Sequence, residues 1–254
     1  MLSAAVVPGR EPTSRPRRAD YPERVILAID TSVGTAVAVV EDDGVVLAEG
    51  ASENPLGHAE AIGGLLHTAL AEATSSPESS AEALTAVAAG MGPGPFTGLR
   101  VGIAAARAFA LGRGIPVVPV VSHDAVALEI LLAGALAGID VARFAVVSDA
   151  RRREFAFTVY DGIDDEGLPV RATEPALIPR DELDARLEQL GAARRDAGRI
   201  SAAMLAIVGA RSLAAGRAPA STEPLYLRSP DVTLPHGPKR VTAPAQSDRP
   251  GGDA

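Results

Sequence analysis

The 254-residue chain has no cysteine and no tryptophan, and aromatic residues make up only 3% of it. Without cysteine there is no disulfide, no thiolate metal ligand and no thiol nucleophile. With so few aromatic rings, the core must come from Ala, Val, Leu and Ile within the 47% of hydrophobic residues. Such small side chains let helices and sheets approach closely. An excess of positive charge is missing too: 24 basic residues against 32 acidic give a formal net charge of -8. An acidic chain is a poor solitary binder of nucleic acid, because phosphate contacts need clustered Lys and Arg. No apolar run reaches the roughly 18–20 residues of a membrane-spanning helix. The first residues place a short apolar patch before the charges, the reverse of a secretory signal. These absences point to a cytoplasmic protein with no membrane partner.

The ends are rich in Pro, Gly and polar residues, so residues 1–23 and 235–254 read as disordered extensions. Arg10, Arg15, Arg17 and Arg18 fall in the first of them. Between the ends, residues 25–29 form a continuous apolar run, as expected of a strand buried on both faces. A second strand over 34–40, an Asp-Gly turn at 43–44 and a third strand over 45–51 make two hairpins. A helix over 57–73 follows, then a strand over 84–89 and a helix over 97–111 with Thr97 as its N-cap. A strand over 115–121 leads to a helix that Ser122 caps and that runs to 136.

The pattern then recurs. A strand over 144–148 ends in Asp149, as the first strand ends in Asp30. A strand over 154–160 turns at Asp161 and Gly162. A third strand over 172–178, a helix from 179 to 190 and a late strand over 204–208 complete it. Two such halves, 24–121 and 122–234, give an α/β fold with mixed sheets flanked by helices, resembling the actin/Hsp70 (ASKHA, RNase H-like) class.

Two segments carry chemistry. Asp30, Thr31 and Ser32 suit a phosphate-binding hairpin, with small side chains that let backbone N–H groups approach an anion. The bland alternative is a strand-end Asp bonded to its own turn. The run GPGPFTGLR, 92–100, is a glycine-rich turn delivering backbone N–H groups of Gly92 and Gly94 to a helix N-terminus, which favours anions. Arg100 opposes the helix dipole there, so a partner carboxylate or phosphate is expected. In the second half, Arg151, Arg152 and Arg153 stand where a second glycine-rich loop would close a nucleotide site. They could hold an anion by charge but cannot form a close backbone cradle.

The histidines, His58, His67, His123 and His236, contain no His-x-x-x-His pair. They read as surface or capping residues, and a metalloprotease reading finds no ligands. The consecutive Ser122, His123 and Asp124 cannot converge as a triad.

GPGPFTGLR, followed by VGIAAARAFALG and IPVVPVVSHDA, resembles the signature of the TsaB (YeaZ) family, a glycoprotease-like family. The opening RVILAIDTSVGTAVAVV, the later DARRREFAFTVYDG, VGA at 208–210 and the Tyr226-Leu227-Arg228 end extend the likeness over about 24–235. Pro95 departs from it, since Ser is usual there. The resemblance implies a non-catalytic subunit that binds TsaD, the enzyme that transfers threonylcarbamoyl to the adenosine beside the anticodon of ANN-decoding tRNAs. It implies a TsaD heterodimer, joined by the TsaE ATPase, with tRNA reached through the complex. ATP and metal would belong to the partner subunits, with no cofactor here. A homodimer of the isolated chain is compatible with the same helices.

The helices over 57–73 and 97–111 are apolar on more than one face. The partner-binding candidates on them are Ala61, Gly64, Leu65, Thr68, Leu99, Gly102, Ala105, Ala106 and Phe109. The anion-binding candidates are Asp30, Thr31, Ser32, Gly92, Gly94, Arg100 and Arg151. The competing reading is an ATPase or small-molecule kinase of the actin/sugar-kinase fold, using Asp30 and the 92–95 turn.

Overall fold

A computed structural model describes residues 24–52, 54, 57–75, 84–217 and 222–228. The expected extensions, with Arg10, Arg15, Arg17, Arg18 and His236, lie outside the described residues.

The first half runs β1 (Val25–Asp30), β2 (Thr35–Glu41), β3 (Val46–Ser52), α1 (His58–Thr74), β4 (Leu84–Gly90), α2 (Phe96–Arg113) and β5 (Val117–Val120). Its sheet has the order β3-β2-β1-β4-β5, antiparallel through the hairpins and parallel from β1 to β4 to β5. The second half runs α3 (Ser122–Leu136), β6 (Phe144–Asp149), β7 (Glu154–Ile163), β8 (Pro169–Arg171), β9 (Ala176–Pro179), α4 (Leu183–Leu190), β10 (Ala193–Asp196) and α5 (Ala202–Ala214). Its sheet has the order β10-β6-β7-β8, with β9 also paired to β7. The two mixed sheets flanked by helices are the fold the sequence pattern implies.

The unbroken apolar run of β1 is explained by what lies on each side of it. Val25, Leu27 and Ile29 pack with Ile62, Leu99, Ile103 and Ala106 of α1 and α2. Ile26 and Ala28, on the opposite face, pack with Leu205 and Ala206 of α5. Helices α3 and α5 form a central layer between the sheets, and α4 covers the outer face of the second sheet. The alanine-rich composition serves this layer: a Cβ on Gly209 of α5 would come within 3.0 Å of Ala88 Cβ on β4.

Several local expectations need correction. The run at 204–208 is part of helix α5 rather than a strand, because Ser201 Oγ accepts from Met204 N at 3.2 Å and starts a helix buried on nearly every side. A short run apolar on all sides has no periodicity to separate the two structures. The strand expected over 172–178 forms only from Ala176, as β9, because the N–H groups of Ala172 and Thr173 both reach Val159 O; the short β8 precedes the expected range. The turn expected at Asp161 falls inside β7, and the reversal lies at 164–167, where Asp164 Oδ1 accepts from Glu166 N and Leu168 N. Helix α2 begins one residue earlier, with Pro95 as N-cap and no side-chain cap. Ser122 is the first residue of α3, not its cap, and its hydroxyl is engaged elsewhere.

Candidate functional site

Asp30 sits at the end of β1, where the two hairpin strands and α3 meet. It is 1% exposed. Its Oδ1 accepts from Ser32 N at 2.7 Å and from Ser32 Oγ at 2.6 Å, and its Oδ2 accepts from Ser122 Oγ at 2.5 Å. Burial pushes its carboxyl above the usual range, opposed by the Ser122 and Ser32 hydrogen bonds and by the charge of His58. Thr31 Oγ1 donates to Gly98 O at 2.7 Å and accepts from Gly102 N at 3.2 Å. The side chains of Asp30, Thr31 and Ser32 are therefore committed within the fold. This is the strand-end Asp bonded to its own turn, the alternative to an anion-binding hairpin.

The glycines of the 92–100 run have a packing role against that turn. A Cβ on Gly94 would meet Ser32 Cα at 2.7 Å, and one on Gly98 would meet Thr31 O at 2.8 Å. One on Gly102 would overlap the Thr31 side chain. Gly92 adopts φ +96° and its N–H donates to Ser122 Oγ at 3.1 Å, so it too is unavailable to a ligand. The Gly92–Pro93 peptide is cis.

The partners of Arg100 in the fold are aromatic. Its guanidinium lies 3.7 Å from the Phe96 ring centroid, and its Nε donates to the Tyr226 hydroxyl at 2.9 Å. The Phe96 and Tyr226 rings are 4.7 Å apart, so the cation is met by two aromatic faces. Tyr226 belongs to the segment 222–228, which crosses between the halves. Leu225 N donates to Met91 O at 2.8 Å, Arg107 reaches Thr222 O, and Arg228 pairs with Glu154 at the start of β7. These partners are all distant in sequence, so the local sequence of 222–228 does not signal this role.

Facing the 92–98 turn across the gap between the halves is the loop after β6. Asp149 Oδ1 accepts from Arg151 N at 2.8 Å and from Arg180 at 2.7 Å. Burial, the largest single influence, pushes its carboxyl up, but these hydrogen bonds and the charges of Arg180 and Arg151 outweigh it and leave it below the usual value. Arg151, Arg152 and Arg153 all have positive φ, at 62°, 49° and 62°. Between loop and turn lies a cleft of about 570 Å³, lined among others by His58, Gly94, Phe96, Arg151, Arg152 and Tyr226. Of the anion-binding candidates, the structure brings only Gly94 and Arg151 to this cleft.

Two histidines expected as surface or capping residues are buried. His58, at the start of α1, bonds through Nδ1 to Thr35 Oγ1 at 2.9 Å. His123, on α3, bonds to Thr158 Oγ1 and Ser148 Oγ, each at 2.9 Å, and burial pushes it down to about 3. Asp124 is bonded instead to the Tyr160 hydroxyl at 2.8 Å, with Arg171 at 3.3 Å, so Ser122, His123 and Asp124 diverge. Among the described residues, no group of three His, Asp or Glu side chains is arranged to hold a metal. No described helix is long and apolar enough to cross a membrane.

The partner-binding candidates separate by helix face. Leu99, Gly102 and Ala106 are buried against the first sheet and the Thr31 turn, which removes them from any outer surface. Their i, i+3, i+7 spacing is that of a sheet-facing stripe. Ala61, Leu65, Ala105 and Phe109 are half-buried along the flanks of α1 and α2, while Gly64 and Thr68 are exposed. Sequence reasoning missed Gly63, Ala104, Ala108 and Leu111, which are exposed on the same two helices.

The family model for TsaD, tRNA N6-adenosine threonylcarbamoyltransferase, matches residues 37–176, more than half of the chain. The chain belongs to this family. An uncharacterized protein of Mycobacterium tuberculosis is 41% identical over 150 residues, which are 58% of this chain and 64% of that protein. The match thus spans less than two thirds of that relative's length. A tRNA N6-adenosine threonylcarbamoyltransferase of Streptococcus suis is 41% identical over 114 residues, 39% of this chain and 33% of the enzyme. The fold is that of YeaZ (TsaB) from Pseudomonas aeruginosa, with a TM-score of 0.63 and 23% identity over 80% of this chain and 100% of that one.

Proposed function

We propose that this chain is a non-catalytic subunit that binds TsaD and supports threonylcarbamoylation of the adenosine beside the anticodon in ANN-decoding tRNAs. TsaE joins the same assembly, and ATP and metal reside in the partners. The observation that carries this reading is the outer face of α1 and α2. Gly63 and Gly64 lie in mid-helix, where glycine costs about 1 kcal/mol relative to alanine. Among the described residues, a Cβ on either would meet nothing within 4 Å, so packing against them does not require glycine. On α2, which packs beside α1, Ala104, Ala108 and a Leu111 that is 84% exposed also face solvent. A smooth two-helix face of this kind suits close approach by the helices of a partner.

The buried, fully bonded Asp30 supports the non-catalytic part of the reading and disfavours a kinase built on its carboxylate. The direct test is co-elution with TsaD. Wild type is expected to form a stable heterodimer, whereas Gly64→Arg and Ala108→Arg, both at exposed sites, are expected to remain folded and elute alone. Association by both variants at wild-type affinity would place the partner surface elsewhere. ATP hydrolysis by the isolated chain that disappears in Asp30→Asn would favour the kinase-like reading.

A further inference from the structure

Unlike the rest of this acidic chain, the cleft between the halves gathers cationic and N–H donor groups. On one wall, α2 begins with no side-chain cap and no acidic residue in its first turn. The first backbone N–H groups of a helix have no acceptor within it, and the dipole there favours an anion. His58 supplies an independent observation. Its side chain belongs to a residue only 8% exposed and lines the cleft, and Nε2 makes no hydrogen bond among the described residues. A Cβ on Gly98 would lie 3.0 Å from that nitrogen, which places Nε2 against the first turn of α2. The tautomer in which Thr35 donates to Nδ1 carries its proton on Nε2, giving one more N–H donor at the same spot.

The opposite wall carries Arg151 and Arg152. The Arg151 side chain makes no hydrogen bond among the described residues, although its charge acts on the neighbouring Asp149. Asp149 also lines the cleft and would repel an anion, but its Oδ1 is held by Arg180 at 2.7 Å, which offsets the charge. Arg228 is paired with Glu154 and adds little net charge. Phe96, Leu225 and Tyr226 supply apolar surface beside the charged groups. A volume of about 570 Å³ lies within the roughly 300–1,000 Å³ usual for small-molecule sites.

We propose that this cleft binds a small phosphomonoester, its phosphate held between His58 Nε2 with the Thr97 and Gly98 N–H groups on one side and the Arg151 guanidinium on the other, and its organic part against Phe96 and Tyr226. No bond is made or broken. The site would give a subunit without catalytic groups a means of responding to a phosphorylated metabolite.

The test uses the full isolated chain, so TsaD association has no bearing on it. Phenyl phosphate and inorganic phosphate are titrated in by calorimetry and by NMR of the histidine ring nitrogens, with chloride as the control anion. Both phosphates are expected to shift His58 while leaving His67 unmoved, with phenyl phosphate the tighter. Arg151→Asn, chosen because Asn tolerates positive φ, is expected to weaken phenyl phosphate about tenfold. His58→Phe is expected to weaken it similarly, and if that variant fails to fold the Arg151 result decides. No His58 shift at tens of millimolar phosphate, equal effects from chloride, or wild-type affinity in Arg151→Asn would overturn the proposal. Displacement of phenyl phosphate by tRNA would overturn the small-molecule assignment.

Discussion

Asp30 closes β1 and Asp149 closes β6, and each accepts a hydrogen bond from the backbone N–H two residues on, at 2.7 Å from Ser32 and 2.8 Å from Arg151. The topology places them equivalently, yet their surroundings are opposite. Asp30 is buried under the glycine-rich turn and bonded to two serine hydroxyls, with its carboxyl pushed up by burial. The side chain of Asp149 is 64% exposed and faces arginines, with its carboxyl held low. The first half has turned its strand-end carboxylate into a structural hub that joins β1, the 92–98 turn and α3. The second half leaves its carboxylate in an open, basic loop. A duplicated topology has thus kept its backbone turn while the two side chains have taken different roles.

The largest contrast should come from closing the hub by force. A Cβ on Gly90 would overlap Asp30 Oδ2 and approach Ser122 Oγ to 2.9 Å. Gly90→Ala is therefore expected to cost about 3 kcal/mol, read as a drop in the urea midpoint. Next, Asp30→Ala strands the Ser32 N–H and two hydroxyls, for about 2–3 kcal/mol. Asp149→Ala, in the second half, is expected to cost no more than about 0.5 kcal/mol in the same assay. Equal losses for the two aspartates would break the comparison.

The pH dependence should have opposite signs in the two settings. A carboxyl raised in the folded state contributes most stability below its unfolded value and loses it as pH rises through the folded value. Asp124 belongs to this class. Burial raises it from 3.8 to about 6, against the opposing Arg171 charge and Tyr160 hydrogen bond, with Glu174 adding to the rise. Asp124→Asn is expected to flatten a fall in stability between pH 3.8 and about 6. Asp149 is held low, so its contribution is present above the ordinary carboxylate range and lost as pH falls through the lowered value. Asp149→Asn should flatten only that acid limb. Urea midpoints measured across pH separate the two. Tyr226→Phe, which keeps the ring beside Arg100 but removes the hydroxyl that Arg100 donates to, is expected to cost about 0.5–1 kcal/mol.

Much of the fold was legible because β1 opens with five apolar residues in a row, β4 is apolar but for Thr85, and the Asp-Gly turn at 43–44 is local. The matched placement of Asp30 and Asp149 was legible for the same reason. Helix α5 was not, because a run buried on nearly every side loses the period that marks a helix. The glycines of the 92–100 run were visible, but their purpose was not, since Ser32 and Thr31 lie some 60 to 70 positions away in sequence. The Tyr226 partner of Arg100, 126 positions distant, and the burial of His58 depended likewise on contacts that no local pattern encodes.

Reconstituted threonylcarbamoylation tests the central claim most directly, with the modified nucleoside measured in tRNA incubated with TsaD, TsaE and this chain. Modification is expected to depend on the chain, to persist with a folded Asp30→Asn variant and to fail with a folded Gly64→Arg variant. Equal modification without the chain, or its loss in the Asp30→Asn variant while TsaD binding persists, would contradict a non-catalytic docking subunit.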